Sequence, residues 1–189
     1  HASASKMAFM QKRTIITFGA AWLLNGAWAQ SNAQGTGDLA LVPPDQETER
    51  LFHEGEKAAR SGDAAKAIGF YDRVLERDPN HLNAWLQRGA SHIRLKDYAT
   101  AVNDFTEVIE RKSDHQWAFT SRGCAYLKLG RNDEALRDLD TAIELDPKDQ
   151  EAWNNRGWAY KAMGRMDTAC RDWKTSKKMG NAEARIILE

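Results

Sequence analysis

The stretch from Trp153 to Trp173 reads WNNRGWAYKAMGRMDTACRDW and contains a pattern that recurs along the chain. Its glycine and alanine pair is found again at steps of 34 residues towards the N-terminus. The pairs are Gly157 and Ala169, Gly123 and Ala135, Gly89 and Ala101, and Gly55 and Ala67. Four matches at one fixed spacing indicate an internal repeat, which must be recognised before any short motif is interpreted chemically.

The period divides the chain into four units, 48–81, 82–115, 116–149 and 150–183. Positions 4, 8 and 11 of each unit are three or four residues apart, as are positions 20, 24 and 27, so each set shares one helix face. Each unit is therefore predicted to be two antiparallel helices, with glycine at 8 against alanine at 20. One hairpin cannot bury its apolar face alone, so neighbouring hairpins must stack into a solenoid.

The predicted first helices run over about 48–60, 82–95, 116–129 and 150–163. The predicted second helices run over about 63–77, 97–111, 132–145 and 166–179. Residues 182–188 are predicted to form a short closing helix that covers the last open face of the stack. The expected N-caps and turn glycines are Asp63, Asp97, Gly62, Gly130 and Gly164.

These positions resemble the tetratricopeptide-repeat family, whose signature combines W-x2-L-G-x2-Y, A-x3-F and a late proline. The resemblance covers residues 48–183. It is weakest in the first unit, where Leu51 and Ala58 replace the usual aromatic residues, and the second unit ends in Ser113 instead of proline. The family implies an all-α fold, a right-handed superhelical solenoid of four helix hairpins with a short C-terminal cap. The tetratricopeptide-repeat domain is thus predicted over 48–189.

Residues 1–29 are excluded from the predicted fold. Residues 1–5 read as an upstream remnant, and Lys12 and Arg13 precede an apolar run of 16 residues that ends Ala27-Trp28-Ala29. This is the layout of a secretory signal peptide with cleavage after Ala29, and the run is short for a span of about 20 residues. Cleavage after Ala33 and an uncleaved anchor are the alternatives. The expected location is the periplasm, by resemblance to exported bacterial repeat proteins.

Residues 30–46 are rich in Gln, Ser, Asn and Gly and read as a flexible leader. From residue 30 onward the chain carries 24 basic and 27 acidic residues. This balance argues against a nucleic-acid partner and against electrostatic attachment to an anionic membrane.

No pattern for catalysis, a cofactor or a metal is found in the sequence. The histidines lack ligand spacing, and the single glycine of each repeat is explained by helix packing. Cys170 occupies an apolar position and Cys124 a variable one on another helix, so a disulfide is the less favoured interpretation. We therefore expect a protein that is not an enzyme.

Position 7 is arginine in the last three repeats, and position 23 is then aspartate. We predict three ion pairs within repeats: Arg88 with Asp104, Arg122 with Asp138, and Arg156 with Asp172. Because each arginine has an aspartate in the same repeat, a structural role is preferred to an anion site.

In the tetratricopeptide family, positions 2, 5, 9, 12 and 13 of the first helices line a concave groove. Here Trp117 and Trp158 are aromatic residues at such positions, and Arg60, Arg94 and Lys128 form a basic row at position 13. We expect a partner peptide or protein segment in this groove, with an acidic group facing the basic row. The alternatives are that Trp158 packs against a neighbouring helix, or that the solenoid is a structural component of a cell-envelope assembly. The candidate binding residues are Phe52, Arg60, Asn83, Leu86, Arg94, Trp117, Thr120, Lys128, Asn154, Trp158 and Lys161.

Overall fold

A computed structural model describes residues 44–188 of the chain. The predicted signal peptide and the leader up to residue 43 lie outside the described residues. The helices are α1 Pro44–Arg60, α2 Ala64–Arg77, α3 Leu82–Arg94, α4 Tyr98–Arg111, α5 Gln116–Lys128, α6 Asn132–Leu145, α7 Gln150–Ala162, α8 Met166–Lys178 and α9 Ala182–Ile187. Between residues 44 and 188 the chain is thus all-α, as the periodicity predicted.

Consecutive helices pack as hairpins, α1 with α2, α3 with α4, α5 with α6 and α7 with α8. The second helix of each hairpin also contacts the first helix of the next, and the first helices α5 and α7 contact each other. The short helix α9 packs on α8, where its buried Ala184 and the partly buried Ile187 and Leu188 join a cluster around Trp173. This stacking of hairpins with a terminal cap confirms the predicted solenoid.

Helix α1 begins earlier than the repeat frame suggested. It starts at Pro44, inside the stretch 30–46 that was predicted to be leader. Proline is well tolerated in the first turn of a helix, because its missing N–H would have no partner there. Thr48, in the second turn of α1, is the first buried residue of the helix among those whose side chains are described.

The glycine at position 8 has a different neighbour from the one expected. A Cβ built on Gly157 would lie 2.5 Å from the indole nitrogen of Trp173, and one built on Gly89 would lie 3.0 Å from the Phe105 ring. Position 24, not the alanine at position 20, therefore makes the closest approach in each repeat. The alanines are nonetheless fully buried beside it, at Ala67, Ala101, Ala135 and Ala169.

The turn inside each hairpin uses a left-handed residue. Gly130 and Gly164, at position 15, have φ of 74° and 76°, but the second repeat places Lys96 there with φ of 62°. A side chain with a Cβ is disfavoured in this region. Lys96 is therefore a strained position that the other repeats avoid.

Side chains cap most of the helices. Asp63 and Asp97 accept hydrogen bonds from the backbone N–H groups of Lys66 and Thr100, as predicted. His81 and His115 were not predicted to be caps, but their Nδ1 atoms accept hydrogen bonds at the starts of α3 and α5. These imidazoles fill the junctions between repeats, which explains why both occur at position 34.

Among the helices of residues 44–188, none combines the length and apolar character that crossing a bilayer would require.

Candidate binding surface

The three arginines at position 7 are structural. Arg122 donates from Nε and Nη2 to both carboxylate oxygens of Asp138, at 2.8 and 2.9 Å, and equivalent paired bonds join Arg88 to Asp104 and Arg156 to Asp172. Burial alone would lower the pKa of Arg156, but its aspartate partners outweigh this effect and raise it. The predicted ion pairs are confirmed, and no free cation remains at this position.

Each of these arginines also donates a hydrogen bond to the preceding repeat, in addition to the predicted pair within its own repeat. Arg88 Nη1 donates to Asp72 at 2.6 Å and Arg156 Nη1 donates to Asp140 at 2.8 Å, while Arg122 uses Thr106 at 2.9 Å. The acceptors occupy position 25, two residues beyond the position considered earlier. The guanidinium therefore links two consecutive hairpins.

A cleft lies between the first helices α5 and α7, next to the start of α9. It has a volume of about 630 Å³. Its lining combines apolar, aromatic, thiol, amide and charged groups. The lining residues are Cys124, Leu127, Lys128, Glu151, Asn155, Trp158, Ala162 and Glu183. Six of these eight occupy positions that the family resemblance assigns to the concave face.

Trp158 provides the aromatic surface of the cleft. Its ring meets Trp173 edge-on, with centroids 5.3 Å apart, and Lys161 Nζ lies 4.6 Å from the Trp158 centroid. The side chain is half-buried and packs against the cluster beneath α9. Trp158 was predicted to line the groove, with packing against a neighbouring helix as the alternative; its side chain both lines the cleft and packs against α8.

The acidic wall of the cleft is held in place by buried amides. Asn154 Nδ2 donates to Glu183 Oε2 at 2.6 Å, and Asn181 Nδ2 donates to Glu151 Oε1 at 2.8 Å. Burial, together with the charges of Asp149 and Glu183, raises the pKa of Glu151. This wall therefore carries negative charge that the amides orient without neutralising.

Cys124 lines the same cleft as a free thiol. Burial raises its pKa, and Glu151 and Glu183 add to the effect while Lys128 opposes it. The thiol is thus held protonated and serves as a small apolar surface. Cys170 is also free and packs against the cluster under α9.

Four predicted binding residues are wholly or partly taken up by the interior. Leu86 is 5% exposed and belongs to the core cluster that includes Ala101 and Phe105. Thr120 is buried and donates to Asp149 at 2.6 Å. Phe52 packs against Tyr71 and His81, and Asn154 is 1% exposed. Leu86, Thr120 and Asn154 therefore cannot contact a partner directly.

The basic row is mostly committed to contacts within the chain. Arg94 Nη1 donates to the Ala59 carbonyl at 2.6 Å, closing the end of α1, and Arg60 lies 3.8 Å from Glu56. Lys128 is exposed, lines the cleft and forms no hydrogen bond or ion pair with another described residue. The row therefore contributes one available cation to the cleft, in place of the three expected.

Trp117 and Asn83 are exposed but do not line the cleft. Trp117 is 43% exposed and meets Phe105 edge-on, with centroids 6.3 Å apart. The structure therefore does not bring the two predicted tryptophans into one site; of the predicted residues, Lys128 and Trp158 line the cleft, and Lys161 lies beside Trp158.

Asn155 and Glu183 line the cleft but were not recognised from the sequence. Asn155 occupies position 6, which the family pattern does not assign to the groove. Glu183 belongs to α9, which was treated only as an apolar cover. Its polar neighbour Asn181, an N-cap residue, was the available signal that this segment also has a polar face.

Family comparisons agree with this architecture. A family pattern described as "Tetratricopeptide repeat" matches residues 53–115, and one described as "TPR repeat" matches residues 123–164. Together they cover more than half of the chain. The chain belongs to the tetratricopeptide-repeat family. No curated protein sequence matches it significantly.

Solved structures show the same fold. "MamA 41-end from Desulfovibrio magneticus RS-1" is 23% identical with a TM-score of 0.66, covering 70% of this chain and 75% of its own. The "First TPR of Spaghetti (RPAP3) bound to HSP90 peptide SRMEEVD" is 27% identical with a TM-score of 0.61, covering 63% of this chain and 94% of its own. Proteins of this family are generally non-enzymatic scaffolds, and the fold is that of a protein–protein interaction module.

Proposed function

We propose that this chain binds a segment of a partner protein in the cleft between α5 and α7. The observation that carries the proposal is the cleft itself, in which two consecutive repeats and the cap combine an aromatic surface, apolar side chains and charges of both signs. Half-buried aromatic residues surrounded by polar groups are typical of binding hot spots. A preformed groove on a rigid stack also reduces the entropy lost on binding.

The RPAP3 repeat domain, which was solved with an HSP90 peptide, supports peptide binding as a use of this fold. Some family members hold a terminal carboxylate with Lys and Asn at positions 5 and 9 of the first repeat and with further polar residues in the next two. Here the matching residues are Phe52, Glu56, Gln87, Trp117 and Ser121. The partner segment is therefore not expected to bind through a terminal carboxylate in that manner.

A pair of alanine substitutions tests the site. Ala162 is exposed and lines the cleft, whereas Ala99 is exposed on the second helix α4. We expect Ala162→Arg to abolish capture of a partner from the native host's extract, because its side chain fills the cleft, and Ala99→Arg to leave it intact. Equal retention by both variants would place binding elsewhere.

Assembly through self-association is the second candidate. The observation that favours it is Ile186 on α9, which is 69% exposed at the end of the stack. If this candidate is correct, the mass of the purified chain rises with concentration, and Ile186→Asp returns it to the monomer value. A monomer at all concentrations leaves the cleft as the site.

We also propose that the protein is exported, from the basic and apolar pattern of residues 12–29. The intact mass of the protein from its native host tests this directly. Processing after Ala29 leaves a chain that begins at Gln30, and processing after Ala33 leaves one that begins at Gln34. An unprocessed N-terminus in the cytoplasmic fraction would contradict export.

A further inference from the structure

The charges of the cleft specify its partner more narrowly than the proposed function does. We propose that the partner segment presents a lysine or arginine side chain, with its alkyl stem against Trp158 and Leu127 and its cationic end at Glu151 and Glu183. This inference rests on the proposed function, since it names the chemistry of the segment that the same cleft binds. It reverses the expectation from the sequence, which was an acidic partner facing a basic row.

The basic row does not offer a site for an acidic partner. Arg60 forms an ion pair with Glu56. Arg94 donates a hydrogen bond to the Ala59 carbonyl. Both side chains are therefore already engaged within the chain. Only Lys128 of that row lines the cleft. An acidic segment would meet Lys128 and, beside Trp158, a Lys161 that already lies over that ring, and it would face two carboxylates.

The two carboxylates are built into the cleft by buried polar groups. Glu183 accepts from Asn154, which is 1% exposed, and Glu151 accepts from the buried Asn181. Each carboxylate is thereby fixed by a neutral donor, which leaves its charge intact. A side chain held in this way loses little conformational freedom when a ligand binds.

A further unpaired acceptor lies behind Glu183. The Oδ1 atom of Asn154 is buried and has no hydrogen-bond partner among the described residues. It belongs to the same amide group whose Nδ2 donates to Glu183 at 2.6 Å. The buried amide that fixes Glu183 thus adds a partial negative charge, and no positive one, behind this wall of the cleft.

The charges around Glu151 also favour a cationic ligand. Its pKa is raised by burial, by Asp149 and by Glu183, with no cation among its causes. A ligand ammonium or guanidinium would relieve this repulsion. Long basic side chains also place their methylene groups against apolar surface, which the cleft supplies in Trp158, Leu127 and Ala162.

The Trp158 ring already interacts with a cation. Lys161 Nζ lies 4.6 Å from its centroid and 6.0 Å from that of Trp173. Indole rings are the strongest cation–π acceptors among protein side chains. Lys161 therefore already supplies the cation for this ring, so the alkyl stem of the ligand, and not its charge, is expected to contact Trp158.

Selection from a phage-displayed library of random 12-residue peptides tests the inference on the full chain. The wild type is compared with a Glu151→Gln/Glu183→Gln variant, in which the amide oxygens still accept from Asn181 and Asn154. A Glu76→Gln/Glu144→Gln variant, with the same change in charge on exposed second-helix positions, is the matched control. Circular dichroism melting confirms that all three proteins are folded.

We expect the wild type and the control to enrich peptides with Lys or Arg, and the cleft variant to lose this enrichment. A selected peptide, resynthesised with norleucine for its basic residue, should bind the wild type about 3- to 10-fold more weakly, as for a partly exposed charge pair. The same replacement should change binding to the cleft variant less than twofold.

The outcomes separate the two proposals. Peptides that compete for the cleft without basic enrichment, or that are rich in Asp and Glu, would overturn the inference and leave the proposed function in place. If no peptide is enriched on the wild type over the Ala162→Arg variant, both the inference and peptide binding in the cleft fail.

Discussion

At the scale of single residues, packing and hydrogen-bonding neighbours determine which residue type occupies the recurring positions of the repeat. The glycine at position 8 is required because the side chain at position 24 lies against its Cα. The arginine at position 7 is required because it satisfies an aspartate at position 23 and an acceptor in the preceding repeat. The glycine recurs in all four units and the arginine in the last three, and packing and ion pairing explain both, which leaves the variable positions to carry binding.

Two glycines with different surroundings test the packing argument. Gly157→Ala would place a Cβ 2.5 Å from the Trp173 side chain. Gly69 is an exposed residue of α2, and a Cβ added there would have no neighbouring atom within 4 Å. We expect Gly157→Ala to lower the free energy of unfolding by about 1–3 kcal/mol, through overpacking. Gly69→Ala should raise it by about 0.5–1 kcal/mol. Urea unfolding checks both values, and equal effects would contradict the account.

Glu151 gives a prediction for the pH dependence of stability. Its pKa is raised in the folded state, so its ionised form opposes folding at neutral pH, and this cost is relieved as the pH falls through the raised value. We expect Glu151→Gln to be more stable than the wild type at pH 7. The difference should vanish well below the ordinary pKa of 4.5.

Urea unfolding at neutral and acidic pH measures this difference. Glu144→Gln, on the exposed face of α6, is the control for a change in net charge. A Glu151→Gln variant whose advantage grows on acidification would show that the sign of the effect is wrong.

At the scale of helices and hairpins, the sequence was sufficient to predict the architecture. The 34-residue period gave the helix pairs, because apolar positions at helical spacing identify the buried face. The period could not show that Leu86 and Thr120 are buried. A residue's position within the 34-residue repeat does not reveal how closely the next helix packs against it. Nor could it reveal that Arg94 is used to close α1, because that bond joins residues 35 apart.

The two acidic partners of Arg156, Asp172 and Asp140, are expected to contribute unequally to the free energy of unfolding. Asp172 is buried, with 6% of its side chain exposed, whereas Asp140 is half exposed at 48%. Asp172→Ala leaves Arg156 without its main partner in the interior, and we expect it to cost about 3–5 kcal/mol. Asp140→Ala removes a more solvated contact and should cost roughly 0–1 kcal/mol. Thermal unfolding of the two variants compares them, and a larger loss for Asp140→Ala would refute this ranking.

At the scale of the whole described region, the stack is a series of hairpins closed by a cap. In such an array each repeat is stabilised mainly by its immediate neighbours. Helix α9 therefore has two roles, since it covers the Trp173 cluster and also supplies Glu183 to the cleft. The second role was not predicted, because the cap was recognised from its apolar residues alone and the polar signal of Asn181 was not used.

Removal of α9 tests both roles at once. A chain that stops after Gly180 uncovers the surface under Ala184, Ile187 and Leu188, and we expect a loss of roughly 2–4 kcal/mol. Hydrogen exchange should show the loss of protection in α7 and α8, with α1 and α2 unchanged. Uniform loss of protection along the stack would contradict the nearest-neighbour description.

The measurement that tests the central claim most directly is the ¹⁵N indole spectrum of the chain during titration with a partner segment or a selected peptide. Trp158 lines the cleft, while the indoles of Trp85 and Trp153 donate to the Pro79 and Pro147 carbonyls and serve as reference signals outside the cleft. We predict that the Trp158 resonance shifts with saturation while those of Trp85 and Trp153 stay in place. Saturable shifts at Trp85 or Trp153 with an unmoved Trp158 would show that the partner binds another surface.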